Sequence, residues 1–256
     1  MKIVILANAD LAAWYALKLL LPNLSEHQCS LFLSHRVGSS KPKPEPIEKL
    51  SVFEKNCLNS LILEGHSHPF EQYNAYLTQP FQFLEKINHP QICSELKSLE
   101  PDLFISIRFG LILKDEVIAI PKKGVINLHS GKLPEYQGVM ATFYALLNGD
   151  KQLSTTLHYI SDSKIDTGDV LATSCLSVDE HKSYLWHVLN LYPDGCKNIL
   201  NAVGQLTRED VQKATHQEGQ SKYYSYPDEN LIDDFYNKGL KLFETNEDLN
   251  FLTKQP

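Results

Sequence analysis

The chain has 256 residues, 43% of them hydrophobic and 21% charged, with a net charge of −7. That supports one globular domain with a sizeable core and room for a small appendage. No Lys/Arg run marks the basic face a nucleic-acid binder uses, so the balance argues against a large RNA or DNA partner.

Five cysteines (Cys29, Cys57, Cys93, Cys175, Cys196) lie far apart without a CxxC pair. That spacing reads as free thiols in a reducing compartment. No basic leader precedes an apolar signal core, and the apolar run 11–21 is too short for a bilayer and broken by Lys18. The expectation is a soluble cytoplasmic protein without membrane contact.

Residues 2–7 (KIVILA) read as a buried strand. Asp10 can cap a helix over 11–21 that Pro22 stops, and 28–34 read as a second strand. Strand, capped helix, strand opens a doubly wound α/β domain. The first turn is Ala-Asn-Ala-Asp, without the Gly-rich phosphate loop of a dinucleotide or P-loop protein. Residues 36–48 read as a Pro/Ser/Lys-rich surface loop, and 50–62 have helical apolar spacing. Residues 65–80 are irregular. His66 and His68 could share one side of a strand and bind metal, but no further ligand lies nearby, and a solvated loop is the plainer reading. No metal site is expected. Tyr73 and Tyr76 read as loop packing.

A helix over 91–99 precedes the apolar strand LFISI at 103–107. Arg108-Phe109-Gly110 then ends that strand, where an open α/β sheet binds its ligands and a glycine admits close approach. Residues 108–113 are thus either a ligand wall or an ordinary turn. Residues 124–128 form the next strand, 139–148 a short helix closed by Gly149, and 154–160 an alternating strand. Residues 169–176 read as a strand, and 183–203 as a helix interrupted near Pro193-Asp194-Gly195. The polar tail from Arg208 carries Tyr223, Tyr224 and Tyr226, then Asp228 as cap for a helix with Leu231, Phe235, Leu240 and Phe243.

Asn127 and His129 alternate at a strand end, so their side chains point the same way. An amide and an imidazole side by side can donate hydrogen bonds to a developing oxyanion. Asp166, on the loop after 154–160, can reach His129, fix its tautomer and favour its charged form. On spacing alone this trio is only suggestive.

NLHSGKLPEYQG (127–138) followed by TLHYISDSKIDTGD (156–169) resembles the formyltransferase family that uses 10-formyltetrahydrofolate. The resemblance covers roughly 1–205 and matches Asn127, His129 and Asp166 to the family's catalytic Asn, His and Asp. It places RFGLIL, that is Arg108, Phe109, Gly110, Leu111, Ile112 and Leu113, on the pterin pocket, with Ile160, Asp162 and Ile165 as further folate contacts. It implies a Rossmann-like, mostly parallel twisted sheet flanked by helices, with 1–205 as catalytic domain and 206–256 as a small C-terminal extension packed on it. The formyl donor would be 10-formyltetrahydrofolate.

Departures narrow the acceptor. The first turn lacks the phosphate loop of the glycinamide-ribonucleotide branch. The tail is shorter than the barrel-type domain of the methionyl-tRNA branch. The chain opens directly on its first strand, unlike the formyltetrahydrofolate-hydrolysing branch. What is left resembles the branch that formylates nucleotide-linked amino sugars, which is the expected acceptor; another amine (an amino acid, glycinamide ribonucleotide or methionyl-tRNA), or hydrolysis of the donor, stays open. A homodimer is compatible with the resemblance. Arg108 could face acceptor phosphates or the folate tail, His158 is a supporting partner or a core histidine, and Tyr136 and Gln137 touch the acceptor or close the loop. Lys132 reads as solvated. The tail tyrosines read as packing, with base stacking as the alternative.

Overall fold

The computed structural model describes residues 1–35, 42–210, 213–245, 247 and 249–253. In chain order its elements are β1 (Lys2–Asn8), α1 (Leu11–Leu20), β2 (Gln28–Ser34), α2 (Glu45–Ser60), β3 (Gln82–Phe83), α3 (Pro90–Ser98), β4 (Leu103–Ile107) and α4 (Asp115–Ile118), then β5 (Val125–His129), β6 (Gln137–Gly138), α5 (Ala141–Asn148), β7 (Gln152–Tyr159), β8 (Val170–Ser177), α6 (Tyr184–Thr207), β9 (Tyr223–Tyr224) and α7 (Glu229–Asn237).

Seven strands form one sheet in the order β3-β2-β1-β4-β5-β7-β8. The first five run parallel, and β7 and β8 are antiparallel additions. Strands buried on both faces need near-continuous apolar sequence, which is what β1 and β4 carry. The faces separate by alternation. Ile3, Ile5 and Ala7 of β1 join the larger core with α1, α2, α5 and α6, while Val4 and Leu6 join a smaller one with α3 and α4. The expected sheet, mostly parallel and flanked by helices, is present. Among the described residues no helix is long and apolar enough to cross a membrane.

Several boundaries differ from the sequence reading, each for a local reason. Residues 36–41 of the expected 36–48 loop lie outside the described residues, but 45–48 belong to α2. Pro44 and Pro46 flank its start, where a missing N–H costs nothing, and Glu45 and Glu48 face the positive helix end. Pro22 ends the α-helix but continues it as a 3₁₀ turn over Leu21–Leu24. Within the irregular 65–80 stretch a 3₁₀ turn spans Glu71–Tyr76. There Tyr73 is buried and its hydroxyl donates to the Trp14 carbonyl, and His68 packs among Phe70, Phe81 and Phe83.

The largest correction concerns α6. It runs unbroken through Pro193, although an internal proline costs about 3 kcal/mol. Tertiary packing outweighs that cost: α6 lies across β7 and β8 and against α1, burying Leu185, Val188, Leu189, Tyr192, Cys196 and Ile199. Gly195 is part of the reason. A Cβ there would sit 3.0 and 3.1 Å from the two Leu128 methyls and 3.2 Å from Thr155 Oγ1. In the tail, α7 stops at Asn237, so Leu240 and Phe243 follow the helix instead of lying on it. Phe235 stacks on Phe143 at 4.4 Å and lies in the larger core.

Since Leu128 lies between Asn127 and His129, the α6 contact bears directly on their strand. Gly195→Val should destabilise the protein by about 1–3 kcal/mol, read as a lower urea midpoint with an unchanged slope.

Candidate active site

Alternation along β5 puts Val125, Asn127 and His129 on one face. Val125 belongs to the smaller core, so Asn127 and His129 point away from α6, at the carboxyl end of the strand. β7 pairs antiparallel with β5 in a register that sets His158 directly opposite Asn127. The loop after β7 brings Asp166 back to the same spot.

His129 is buried. Its Nε2 donates to the Tyr136 carbonyl at 2.6 Å, and its Nδ1 lies 3.4 Å from Asp166 Oδ2. Both neighbours are acceptors, so only the doubly protonated ring satisfies both contacts. His158 is 1% exposed. Its Nδ1 donates to the Tyr159 carbonyl at 2.8 Å, which leaves Nε2 of the neutral ring as an acceptor. In that form Asn127 Nδ2 donates to Nε2 at 3.0 Å; the same Nε2 lies 3.4 Å from Asp166 Oδ1 and donates to the carboxylate when it carries a proton. An amide nitrogen carries two hydrogens, so Asn127 keeps one beyond its bond to His158.

Asp166 has a positive φ of 56°, a strained conformation for a residue with a Cβ. Its Oδ2 also accepts the Gly138 backbone N–H at 2.9 Å. Burial resists its ionisation, but His129, then His158 and the Gly138 N–H outweigh burial and hold the carboxyl down to about 2. Its carbonyl accepts from Gln137 Nε2 at 3.1 Å and from Gln217 Nε2 at 2.9 Å. Gly138 is a tight point. It sits at φ 95°, where a Cβ would lie 2.2 Å from the Tyr224 carbonyl, because β6 and β9 pair there.

A cavity of about 470 Å³ opens at this place. Asn127, His129, His158 and Asp166 line it, as do Arg108, Phe109, Gly110, Leu111, Ile112, Leu113, Ile160, Asp162 and Ile165. Tyr184 of α6 and Tyr223 and Tyr226 of the tail also line it. Tyr224 does not; it is buried between Tyr136 and Tyr144.

Arg108 is committed to the protein. It sits at φ 57°, and its Nε donates to both Asp10 oxygens at 3.0 and 2.8 Å. Burial works against its charge, yet Asp10, then Tyr192, Tyr184 and Glu54, raise its pKa further. Asp10 in turn caps α1 by accepting the Ala13 N–H. The first turn thus carries a carboxylate at the helix N-terminus, where a phosphate loop would offer bare N–H groups.

Tyr136 and Gln137 close the loop: the Tyr136 hydroxyl donates to Asp150 at 2.7 Å, and Gln137 holds the Asp166 carbonyl. Lys132 is exposed and pairs with Glu135. Sequence reasoning passed over Asp10 as a partner of Arg108, and Gly138 and Gln217 as supports of Asp166. The first two had a signal, an acidic cap and a glycine between the Leu-Pro turn and the helix. Gln217 had none.

Comparison with known proteins meets this geometry at its centre. The model of the formyl transferase family matches residues 64–185, which include Asn127, His129, His158 and Asp166. Residues 64–185 are thus similar to the formyl transferase family. A methionyl-tRNA formyltransferase of Geobacter metallireducens is 32% identical over 146 residues, 54% of this chain and 45% of the relative. The matched segment thus spans under half of that relative's length. A sugar 3N-formyltransferase solved with dTDP and 5-N-formyl-THF superposes with a TM-score of 0.57 at 19% identity, covering 88% of this chain and 69% of the other. An N-formyltransferase from Helicobacter canadensis, in complex with folinic acid and dTDP-3-aminofucose, gives 0.57 at 18% identity, covering 88% and 71%. At such identities the likeness establishes the Rossmann-like fold of these enzymes.

The domain's buried carboxylate makes a measurable demand on pH. Its folded pKa lies below the unfolded value, so its stabilisation is complete above about pH 4 and is lost as pH falls through about 2. Wild type should exceed Asp166→Asn by roughly 2 kcal/mol at pH 5, with the gap closing toward pH 2. Chemical denaturation across that range checks it.

Proposed function

We propose that the protein transfers a formyl group from 10-formyltetrahydrofolate to the amino group of a small acceptor, a nucleotide-linked amino sugar. The observation that carries the reading is the convergence of Asn127, His129 and Asp166 on one cavity that residues 109–113 also line. In this reading Phe109 to Leu113, with Ile160, Asp162 and Ile165, hold the pterin and its tail. Arg108 supports the floor through Asp10 instead of binding a phosphate.

The acceptor amine attacks the formyl carbon in its neutral form, and the carbonyl oxygen becomes an oxyanion. Asn127 offers its second amide hydrogen. His129 Nε2 exchanges the Tyr136 carbonyl for the oxyanion, which carries more charge and is the better acceptor. A carboxyl held near 2 is a poor proton acceptor but a permanent negative charge. Asp166 therefore steadies the protonated imidazole, which gives its Nε2 proton to the departing folate nitrogen as the formyl carbon–nitrogen bond breaks and takes one back from the newly bonded amine. Holding donor and acceptor in one cavity supplies the entropic part of the acceleration.

The sugar acceptor is supported by ligands of the structural neighbours, dTDP in one and dTDP-3-aminofucose in the other, and by a net charge of −7 that disfavours tRNA phosphates. The methionyl-tRNA formyltransferases among the sequence relatives favour the second reading, an aminoacyl-tRNA acceptor. A cytoplasmic location goes with either, supported by cysteines that are all free.

The test is an acceptor screen with 10-formyltetrahydrofolate, following released tetrahydrofolate. A dTDP-linked amino sugar should turn over, and methionyl-tRNA, glycinamide ribonucleotide and water should not. Asn127→Ala and His129→Ala should each cost about 10²–10³ in rate, whereas Tyr223→Ala should raise the acceptor KM with little change in kcat. Turnover of methionyl-tRNA alone would reassign the acceptor; a tenth of wild-type rate in His129→Ala would remove its role.

A further inference from the structure

The segment from Thr215 to Tyr226 runs as a strap around the Asp166 loop. At one end Thr215 exchanges both backbone hydrogen bonds with Val170, each 2.8 Å, adding one bridge to the sheet edge just after the loop. At the other end β9 pairs with β6, placing the Tyr224 carbonyl against Gly138. Gly138 is the residue whose N–H holds the Asp166 carboxylate. Between the two anchors, Gln217 Nε2 donates to the carbonyls of Asp166 at 2.9 Å and Gly168 at 2.7 Å. Both targets are acceptors, so the nitrogen of the Gln217 amide must face them.

We propose that Gln217 is a positioning residue for Asp166, the strap's means of holding the carboxylate between the two imidazoles. The physical need is plain. Asp166 sits at φ 56°, a conformation that persists only where surrounding contacts impose it. Gln137 and Gln217 supply two amide donors to its carbonyl from opposite sides in sequence, and only Gln217 also ties Gly168. Without Gln217 the loop loses two of these bonds at once and relaxes. Asp166 then withdraws from His129 and His158, which it meets at only 3.4 Å. His216, the neighbour of Gln217, is a natural control. It contacts Asp169 at 3.0 Å but is 82% exposed and reaches neither imidazole.

The proposal rests on the formyl-transfer reading for its kinetic arm and on the structure alone for its spectroscopic arm. The experiment compares full-length wild type, Gln217→Ala, Gln217→Glu and His216→Ala. Glutamate keeps the length but offers two carboxylate oxygens to two carbonyls, so it should fail as alanine does. Both Gln217 variants should lower kcat at least tenfold, leave the donor KM within twofold, and move the imidazole ¹⁵N signals of His129 and His158 in ¹H–¹⁵N spectra. Hydrogen exchange over 162–170 should quicken in them. His216→Ala should match wild type in kcat and in these signals. Unchanged imidazole signals in both Gln217 variants, or a kcat within twofold of wild type, would overturn the proposal. So would an equal effect of His216→Ala, since that marks the strap as structural only. If wild type transfers no formyl group to any amine, the functional reading fails, and the imidazole signals and exchange data still decide Gln217.

Discussion

A negative charge buried at the carboxyl edge of the sheet organises this molecule. An unpaired carboxylate in that position would be expelled or protonated. Asp166 is 9% exposed at its side chain and remains ionised because two imidazoles and one backbone N–H converge on it. Those three groups come from β5, from β7 and from β6, whose Gly138 begins the turn into α5. Holding that turn in place requires β9, so the charge ties together chain segments from residue 129 to residue 224.

The sheet topology makes the convergence possible. Parallel strands deliver their carboxyl ends to one edge, and that delivers Asn127, His129 and Arg108. β7 then enters antiparallel, so its own carboxyl end lies beside the middle of β5. The register places His158 against Asn127, and a slip of one residue would turn His158 into the opposite core. The packing of Gly195 on Leu128 fixes β5 from behind. Thus the helix that runs through Pro193 and the pair at the cavity are parts of one constraint, set by how closely α6 can approach the sheet.

The sequence made some of this legible and hid the rest for physical reasons. β1, β4 and β5 are local apolar patterns, so they could be read directly, and so could the alternation that aims Asn127 and His129 together. Asp10 as a cap was equally local. Pro193 misled because the local cost of a proline is visible in the sequence, whereas the packing that outweighs it is not. Pro44 misled in the other direction, since a Pro-rich stretch reads as loop although proline is well suited to a helix's first turn. The tail was recognisable as different in composition. Its pairing with residues 137–138 was not, because parallel contacts across some eighty-six positions leave no local signature. Gln217 belongs to the same class: a lone glutamine in a polar segment carries no mark of what it will face.

Arg108 shows how the same charge logic bears on the acceptor. A cation at the cavity floor would ordinarily invite a phosphate. Here Asp10 takes both the guanidinium and the α1 N-terminus, the two features that most favour anion binding at a strand–helix turn. The turn carries its own anion, so an acceptor's phosphate gains nothing by reaching it. In the proposed reaction the acceptor's anionic part must therefore lie away from this floor. Tyr223 and Tyr226 line the cavity from the tail, and Lys43 stands 4.6 Å over the Tyr226 ring. Aromatic faces with a nearby ammonium suit a base and its phosphates. The tail that steadies Asp166 would then also meet the acceptor, so that one segment joins acceptor recognition to the placement of the carboxylate.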